Sequence, residues 1–234
     1  MFNNKDLELN EILVGIRHKK NFSVLDKFGE IIDDIVDNSN SKFPKDYFDG
    51  VSTEGFTKTI NNSKTKDYIK LTQFDLIYRH EIKDKNNTEE EYNLFFDRFN
   101  ADIIPLIIDK YNIRDFSRIG IVFSFKYKDK RVFEKSLDNI INNKFSNVNS
   151  IRFSEKDTTK TGNLFKGTDD YINKLYSLAI INNIAIFSYD YQHYFNPLKS
   201  IFKQCEMSKV VEQAEKALEK DIVKILGENN EEKA

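Results

Sequence analysis

The 234-residue sequence holds one cysteine, three prolines and eight glycines. The single Cys205 excludes an intrachain disulfide and points to a reducing compartment. With so little proline and glycine, no linker divides the chain. No GxxxxGK[ST], GxGxxG or GxSxG pattern occurs either, which removes the common phosphate-binding loops and the hydrolase nucleophile elbow. Charge of one sign is also missing: 36 basic residues face 38 acidic ones, for a net of −2. A dedicated nucleic-acid binder needs a strong positive field, because phosphate neutralisation supplies most of its affinity. The apolar runs fall short of the roughly 20 residues of a membrane helix, and the opening MFNNKDLELN lacks the apolar segment of a signal peptide. The expectation is a cytoplasmic protein with no membrane partner.

What the chain does have is aromatic bulk. Hydrophobic residues make up only 39% and charged residues 32%, but 20 Phe and 11 Tyr can bury large areas, so a globular fold is expected. Frequent Asn, Lys, Ile and Phe fit an AT-rich microbial genome. Two short basic runs, 17–20 and 126–131, read as solvated loops after strands, the second broken by Asp129.

Apolar alternation predicts strands over 11–18, 54–62, 67–83, 118–127 and 148–155, and over the two segments flanking Asn182-Asn183, a hairpin turn. Helical spacing predicts helices over 23–37, from Thr88 to about 106, over 131–143 and over 207–226, the last ended by Gly227. Pro105 is expected to bend or split the second helix. No internal repeat is evident. The order of elements predicts one α+β domain over 1–227, a largely antiparallel sheet with helices packed against it and a long C-terminal helix. Residues 228–234 read as a disordered acidic tail.

The richest polar stretch is FSYDYQHYFNP, 187–197. Strand alternation puts Asp190 and Gln192 on one face and His193 on the other, which disfavours a hydrogen-bonded Asp190–His193 pair. His18, His80 and His193 sit on apolar-patterned faces without ligand spacing, so no metal site is expected. Glu81-Ile82-Lys83 matches the E-x-K of metal-dependent nucleases in letters. The nearest acid upstream, Asp75, lies about 20 Å away along an extended strand, too far to share an ion. Cys205 has no assignable base. Arg17 and Arg118 each share a strand face with a glycine, Gly15 and Gly120, where a ligand could approach closely. The candidate ligand-binding residues are therefore Arg17, Arg118, Asp190 and Gln192, with no catalytic residue and no cofactor assigned.

Three stretches, ILVGIRH at 12–18, YNIRDFSRIGIVFSF at 111–125 and SYDYQHYFNP at 188–197, together resemble a family of uncharacterised, sporadically distributed microbial proteins. The resemblance spans about residues 8–226 and implies no activity. Sporadic distribution implies horizontally moving cassettes, such as anti-phage defence or toxin–antitoxin loci. The expectation is a non-enzymatic interaction component of a bacterial multiprotein system, with a protein partner or self-association. The alternatives are a metal-dependent nuclease or other phosphate-processing enzyme, and a sensor of an anionic ligand or nucleic acid.

Overall fold

The computed structural model describes residues 4–36, 41–141, 150–157, 168–201 and 203–226. The expected tail at 228–234 and the helix stop at Gly227 lie outside them, as do the ends predicted at 37, 142–143 and 148–149. The chain is a single α+β domain. Along it run β1 (Leu7–His18), α1 (Ser23–Asp26), α2 (Phe28–Val36), β2 (Gly50–Glu54), β3 (Thr57–Asn61), β4 (Tyr68–Leu71) and β5 (Asp75–Glu81). Then come α3 (Thr88–Arg98), a π-helix (Phe99–Asp109), β6 (Phe116–Tyr127), α4 (Lys130–Ile141), β7 (Ser150–Asp157), β8 (Tyr171–Ile181), β9 (Ile184–Lys199) and α5 (Gln204–Leu226). All nine strands form one antiparallel sheet in the order β2-β3-β4-β5-β1-β6-β9-β8-β7.

Strand alternation divides the sheet into two unlike faces. On β1, Ile12, Val14 and Ile16 are buried while Leu13, Gly15 and Arg17 point the other way. The helices cover the buried face. Phe95 of α3 stacks on Tyr78 of β5 at 4.6 Å, Phe133 of α4 meets Tyr127 of β6 edge-on at 5.3 Å, and Asp221 of α5 reaches Tyr176 and Tyr189. The aromatic residues thus supply the thickness of the core that the modest aliphatic content does not. Among the described residues, no helix covers the opposite face, which is called here the open face.

Several elements differ from expectation. Residues 67–83 are a hairpin, not one strand: Thr72 Oγ1 accepts from the amides of Phe74 and Asp75, and the Thr72 amide donates to Asp75 O. Strand β2 precedes the predicted 54–62 strand, and Gly55 turns the chain between them at φ 57°. Its sequence GVSTE is exposed and gives no alternating apolar signal. Pro105 neither ends nor splits its helix. From Phe99 the helix widens, so that the Lys110 amide reaches Pro105 O and the Ile113 amide reaches Ile108 O, each five residues back. A wider turn accommodates a ring that has no N–H and that crowds the carbonyl four residues earlier. Asn182 and Asn183 both take positive φ, 50° and 64°, as a two-residue hairpin demands.

The expectation of no internal repeat is also corrected. The sheet is symmetric about its central pair: β1 and β6 lie side by side, β5 and β9 flank them, and β4 and β8 come next. In each half the first strand leads into a helix and the last strand leads into another. Ile12 pairs with His80 and Ile119 pairs with His193, which makes Ile12 and Ile119 equivalent and places the pseudo-twofold axis at the Val14–Ile121 pair. The sequence echo is Asp67-Tyr68-Ile69 with Tyr78-Arg79-His80 in one half, and Asp170-Tyr171-Ile172 with Tyr191-Gln192-His193 in the other. The two hairpins differ by a slide of two residues, since Tyr68 pairs with Arg79 but Tyr171 pairs with Tyr194.

Leu218 lies fully buried on α5 against this core. Leu218→Ala is expected to cost about 2–5 kcal/mol, read as a lower urea midpoint at unchanged slope. An unchanged midpoint would show that α5 is not docked.

Candidate functional site

The histidines that invite a catalytic or metal role are spent on the interior. His80 Nδ1 lies 2.7 Å from Asp67 Oδ2, and its Nε2 lies 3.3 Å from Glu91 Oε2. The Asp67 carboxylate also accepts from the Tyr47 hydroxyl and the Glu81 amide, with buried Arg98 at 4.0 Å. Burial and the bond to Asp67 push the Tyr47 hydroxyl up to about 12. In the other half His193 Nε2 lies 2.8 Å from Asp170 Oδ2, and Asp170 Oδ1 accepts from the Asn196 amide at 2.9 Å. Both His193 and Asp170 are sealed from solvent. These equivalent pairs tie the start of β4 to β5 and the start of β8 to β9. They satisfy polar groups that are buried in the core.

A further buried network joins α5 to the sheet. Asp221 Oδ2 takes hydrogen bonds from Lys174 Nζ at 3.0 Å and from the hydroxyls of Tyr176 at 2.8 Å and Tyr189 at 3.3 Å. Burial alone would raise the Asp221 carboxyl; the Tyr176 and Lys174 donors hold it below its usual value.

The nuclease letters do not assemble. Glu81 Oε1 is ion-paired with its own Lys83 at 2.9 Å, and Asp75 is held by Arg17 at the far end of β5. Among the described residues no cluster of three His, Cys, Asp or Glu could hold a metal ion. Cys205 is exposed on the first turn of α5.

Arg17, Arg118, Asp190 and Gln192 all lie on the open face. Register brings them close. Arg17 sits directly opposite Arg118, and Arg118 directly opposite Tyr194, which in turn faces Tyr171. The result is a row of side chains across the sheet: Asp75 on β5, Arg17 on β1, Arg118 on β6, Tyr194 on β9 and Tyr171 on β8. Arg17 grips Asp75 with two bonds, at 3.0 and 3.2 Å. The Tyr194 and Tyr171 rings stack at 4.6 Å, the Arg118 guanidinium lies 5.8 Å from the Tyr194 ring and Lys156 Nζ lies 4.1 Å over Tyr171. Arg118 also donates to the Tyr194 hydroxyl at 3.4 Å, and that hydroxyl donates to Gln192 Oε1 at 3.0 Å.

Beside this row, Gly15 pairs with Gly120 and lowers the surface to backbone level. A Cβ on Gly120 would stand 3.5 Å from Asp190 Oδ1, so the Asp190 carboxylate lies at the edge of this hollow. Gln192 Nε2 donates to Asp190 Oδ2 at 2.6 Å. Burial raises the Asp190 carboxyl, against the opposing effects of Gln192 and of the charges on Arg118 and Arg152. The structure thus sets Arg118, Gln192 and Asp190 in one contiguous patch, with Arg17 at its margin.

At the end of the sheet beyond Arg17 and Arg118, apolar side chains stand in solvent. Phe22, Phe56, Phe74, Leu198 and Ile201 are all exposed, with Phe22 and Phe56 in ring contact at 5.9 Å. Backbone bonds from His18 to Phe74, and from Asp115 to Ser200, fasten their loops to the strand ends.

Sequence reasoning missed Tyr194, Tyr171, Arg152 and Lys156. Alternation already put Tyr194 on the face of Asp190 and Gln192. The other three come from β7 and β8, and only register shows which rows they join.

No protein-family model matches the chain, and no curated protein matches it either.

A half-buried carboxylate with a raised pKa costs stability when it is charged, so the sign of its pH effect is defined. The native pKa of Asp190 lies above the unfolded value, so its contribution is full at low pH and is lost as pH rises through the native pKa. Asp190→Asn is therefore expected to have a urea midpoint at or above the parent's at pH 7. The gap should close as pH falls below about 4, near the unperturbed carboxylate pKa. A lower midpoint at pH 7 would show that the charge itself holds the patch together.

Proposed function

We propose that the protein is a non-enzymatic binding module, which docks another protein on its open face and adjoining apolar end. The observation that carries this is the coincidence of two features at one end of the sheet. One is five large apolar side chains in solvent; the other is a polar row with a stacked tyrosine pair on a face without helices. Single exposed apolar residues are ordinary, but clustered ones beside Tyr and Arg are how interface anchors are distributed. The opposite possibility, turnover, has less support: each acid–histidine pair is sealed in the core, and the E-x-K pair lacks a second acid. The family resemblance supports a place in a bacterial multiprotein system, of the kind carried by anti-phage or toxin–antitoxin loci, in the cytoplasm. A homo-oligomer using the same surface is the nearest variant of this proposal.

Native isolation is expected to recover the protein with a stoichiometric protein partner encoded nearby, or as a dimer by light scattering. With Mg²⁺ or Mn²⁺ and DNA or RNA, the parent, Glu81→Gln and Lys83→Ala are expected to show the same absence of cleavage. Metal-dependent cleavage by the parent that either substitution abolishes, with the fold retained, would replace the proposal with a nuclease.

A further inference from the structure

The pseudo-twofold relation allows the open faces of the two halves to be compared position by position, and their charges are handled differently. In the first half the charges that β1 and β5 carry on the open face each meet an opposite charge, Glu81 through Lys83 and the rest across the two strands. Glu11 meets Arg79 at 2.5 Å, and Arg17 meets Asp75 at 3.0 Å. Through the equivalence of Ile12 with Ile119, and of His80 with His193, Glu11 corresponds to Arg118 and Arg79 to Gln192. Arg17 likewise corresponds to Ser124 and Asp75 to Ser188. The second half has kept the scaffold and lost both ion pairs: Ser124 and Ser188 share a hydroxyl contact at 3.1 Å, and Arg118 stands opposite Tyr194 and diagonal to Gln192.

Three cations on this half-face have no ion-pair partner among the described residues. Among the described residues, no carboxylate lies within ion-pair distance of Arg118, Arg152 or Lys156. The one described acid on this half-face, Asp190, is half-buried and engaged by Gln192, and it feels the charges of Arg118 and Arg152 without forming an ion pair with either. Arg118 also has Arg17 directly across from it, and like charges at opposed strand positions repel.

We infer that the β6-β9-β8-β7 half of the open face binds an extended acidic segment of a protein partner, seating one carboxylate at Arg118 and another at Lys156. This rests on the docking function proposed above and names the chemistry of the partner. Arg118 and Lys156 are three strand spacings apart, about 14 Å, which matches residues i and i+4 on the same side of an extended chain. Between them stand the stacked Tyr194 and Tyr171 rings, with Gly120 in the neighbouring row; Ser124, Ser188 and Ser177 form a further row six residues along the strands. Single-stranded nucleic acid also carries anions, but it gains affinity by stacking bases on free aromatic faces. Here each tyrosine ring is covered by the other tyrosine on one side and by a cation, Lys156 or Arg118, on the other. Charged head groups and hydroxyls are what the surface offers.

The test uses the full chain and a fluorescently labelled nine-residue peptide with glutamate at alternate positions and serine between. Fluorescence anisotropy is expected to show binding that weakens with added salt. Arg118→Glu and Lys156→Glu should each weaken it at least tenfold, while Lys209→Glu on the exposed side of α5 leaves it unchanged. Lys156 is exposed on the edge strand, so its variant decides the matter even if Arg118→Glu fails to fold. No binding by the parent, or binding indifferent to both substitutions, would overturn the inference. Tighter binding of oligothymidylate with the same dependence on Arg118 and Lys156 would overturn it in favour of nucleic acid. A native partner still recovered by the Arg118→Glu/Lys156→Glu double variant would sink the acidic segment while leaving the docking function standing.

Discussion

The rest of the structure depends on the antiparallel ladder between β1 and β6. It joins two strands about a hundred residues apart in sequence, through a register that runs from Leu7–Tyr127 to His18–Phe116. Everything on either side is built outward from it: β5 and its hairpin partner on one flank, β9 and its hairpin partner on the other. Because side chains alternate with a period of two, that one register decides which residues are core and which are surface. Val14 and Ile121 meet inside, while Gly15 meets Gly120 and Arg17 meets Arg118 outside. A slip of one residue would turn one of the two arginines, with its whole strand, to the wrong face.

The chain separates its polar groups by task. In the interior, carboxylates meet histidines, tyrosines, an arginine and a lysine at bonding distance, in each half and at the α5 contact. Breaking such a buried pair by removing one partner is far more damaging than losing a surface ion pair. These networks therefore specify how hairpins and helices dock, and their chemistry is closed. On the open face the first half is likewise closed by its own ion pairs. Among the described residues, cations without an ion-pair partner collect in the second half, next to a glycine hollow and a stacked tyrosine pair. The divergence between two similar halves, one neutralised internally and one not, is the most specific functional signal in the molecule.

How much of this was legible in the sequence follows from what alternation and helical spacing can encode. The α+β class, the antiparallel sheet, the Asn182-Asn183 hairpin and the opposite facing of Asp190 and His193 all come from local periodicity. The four candidate site residues could be placed on strand faces for the same reason. Register between distant strands has no local signal, so the opposition of Arg17 and Arg118 and the row through Tyr194 and Tyr171 stayed hidden. So did the partners of the histidines: Asp67 and Asp170 each precede a strand thirteen and twenty-three residues before the histidine they bind. The repeat escaped notice because its echo is short, Asp-Tyr-Ile and Tyr-x-His, and the intervening segments differ in length and strand number. Pro105 was read by the local rule for prolines, which does not anticipate a widened helix held by tertiary packing of Ile103, Ile104, Ile107 and Ile108.

The central claim is that the protein acts by holding an acidic protein segment on the open face of its second half. Site-specific photo-crosslinking in native cells tests it most directly, with the reactive side chain placed at Asn173 on β8, opposite Lys156 and Gln192, and, for comparison, at Lys209 on the exposed side of α5. The account predicts a discrete protein adduct from position 173, mapping to a Glu- or Asp-rich stretch of the partner, and none from position 209. Adducts only from the helical side, or adducts to nucleic acid from position 173, would contradict it.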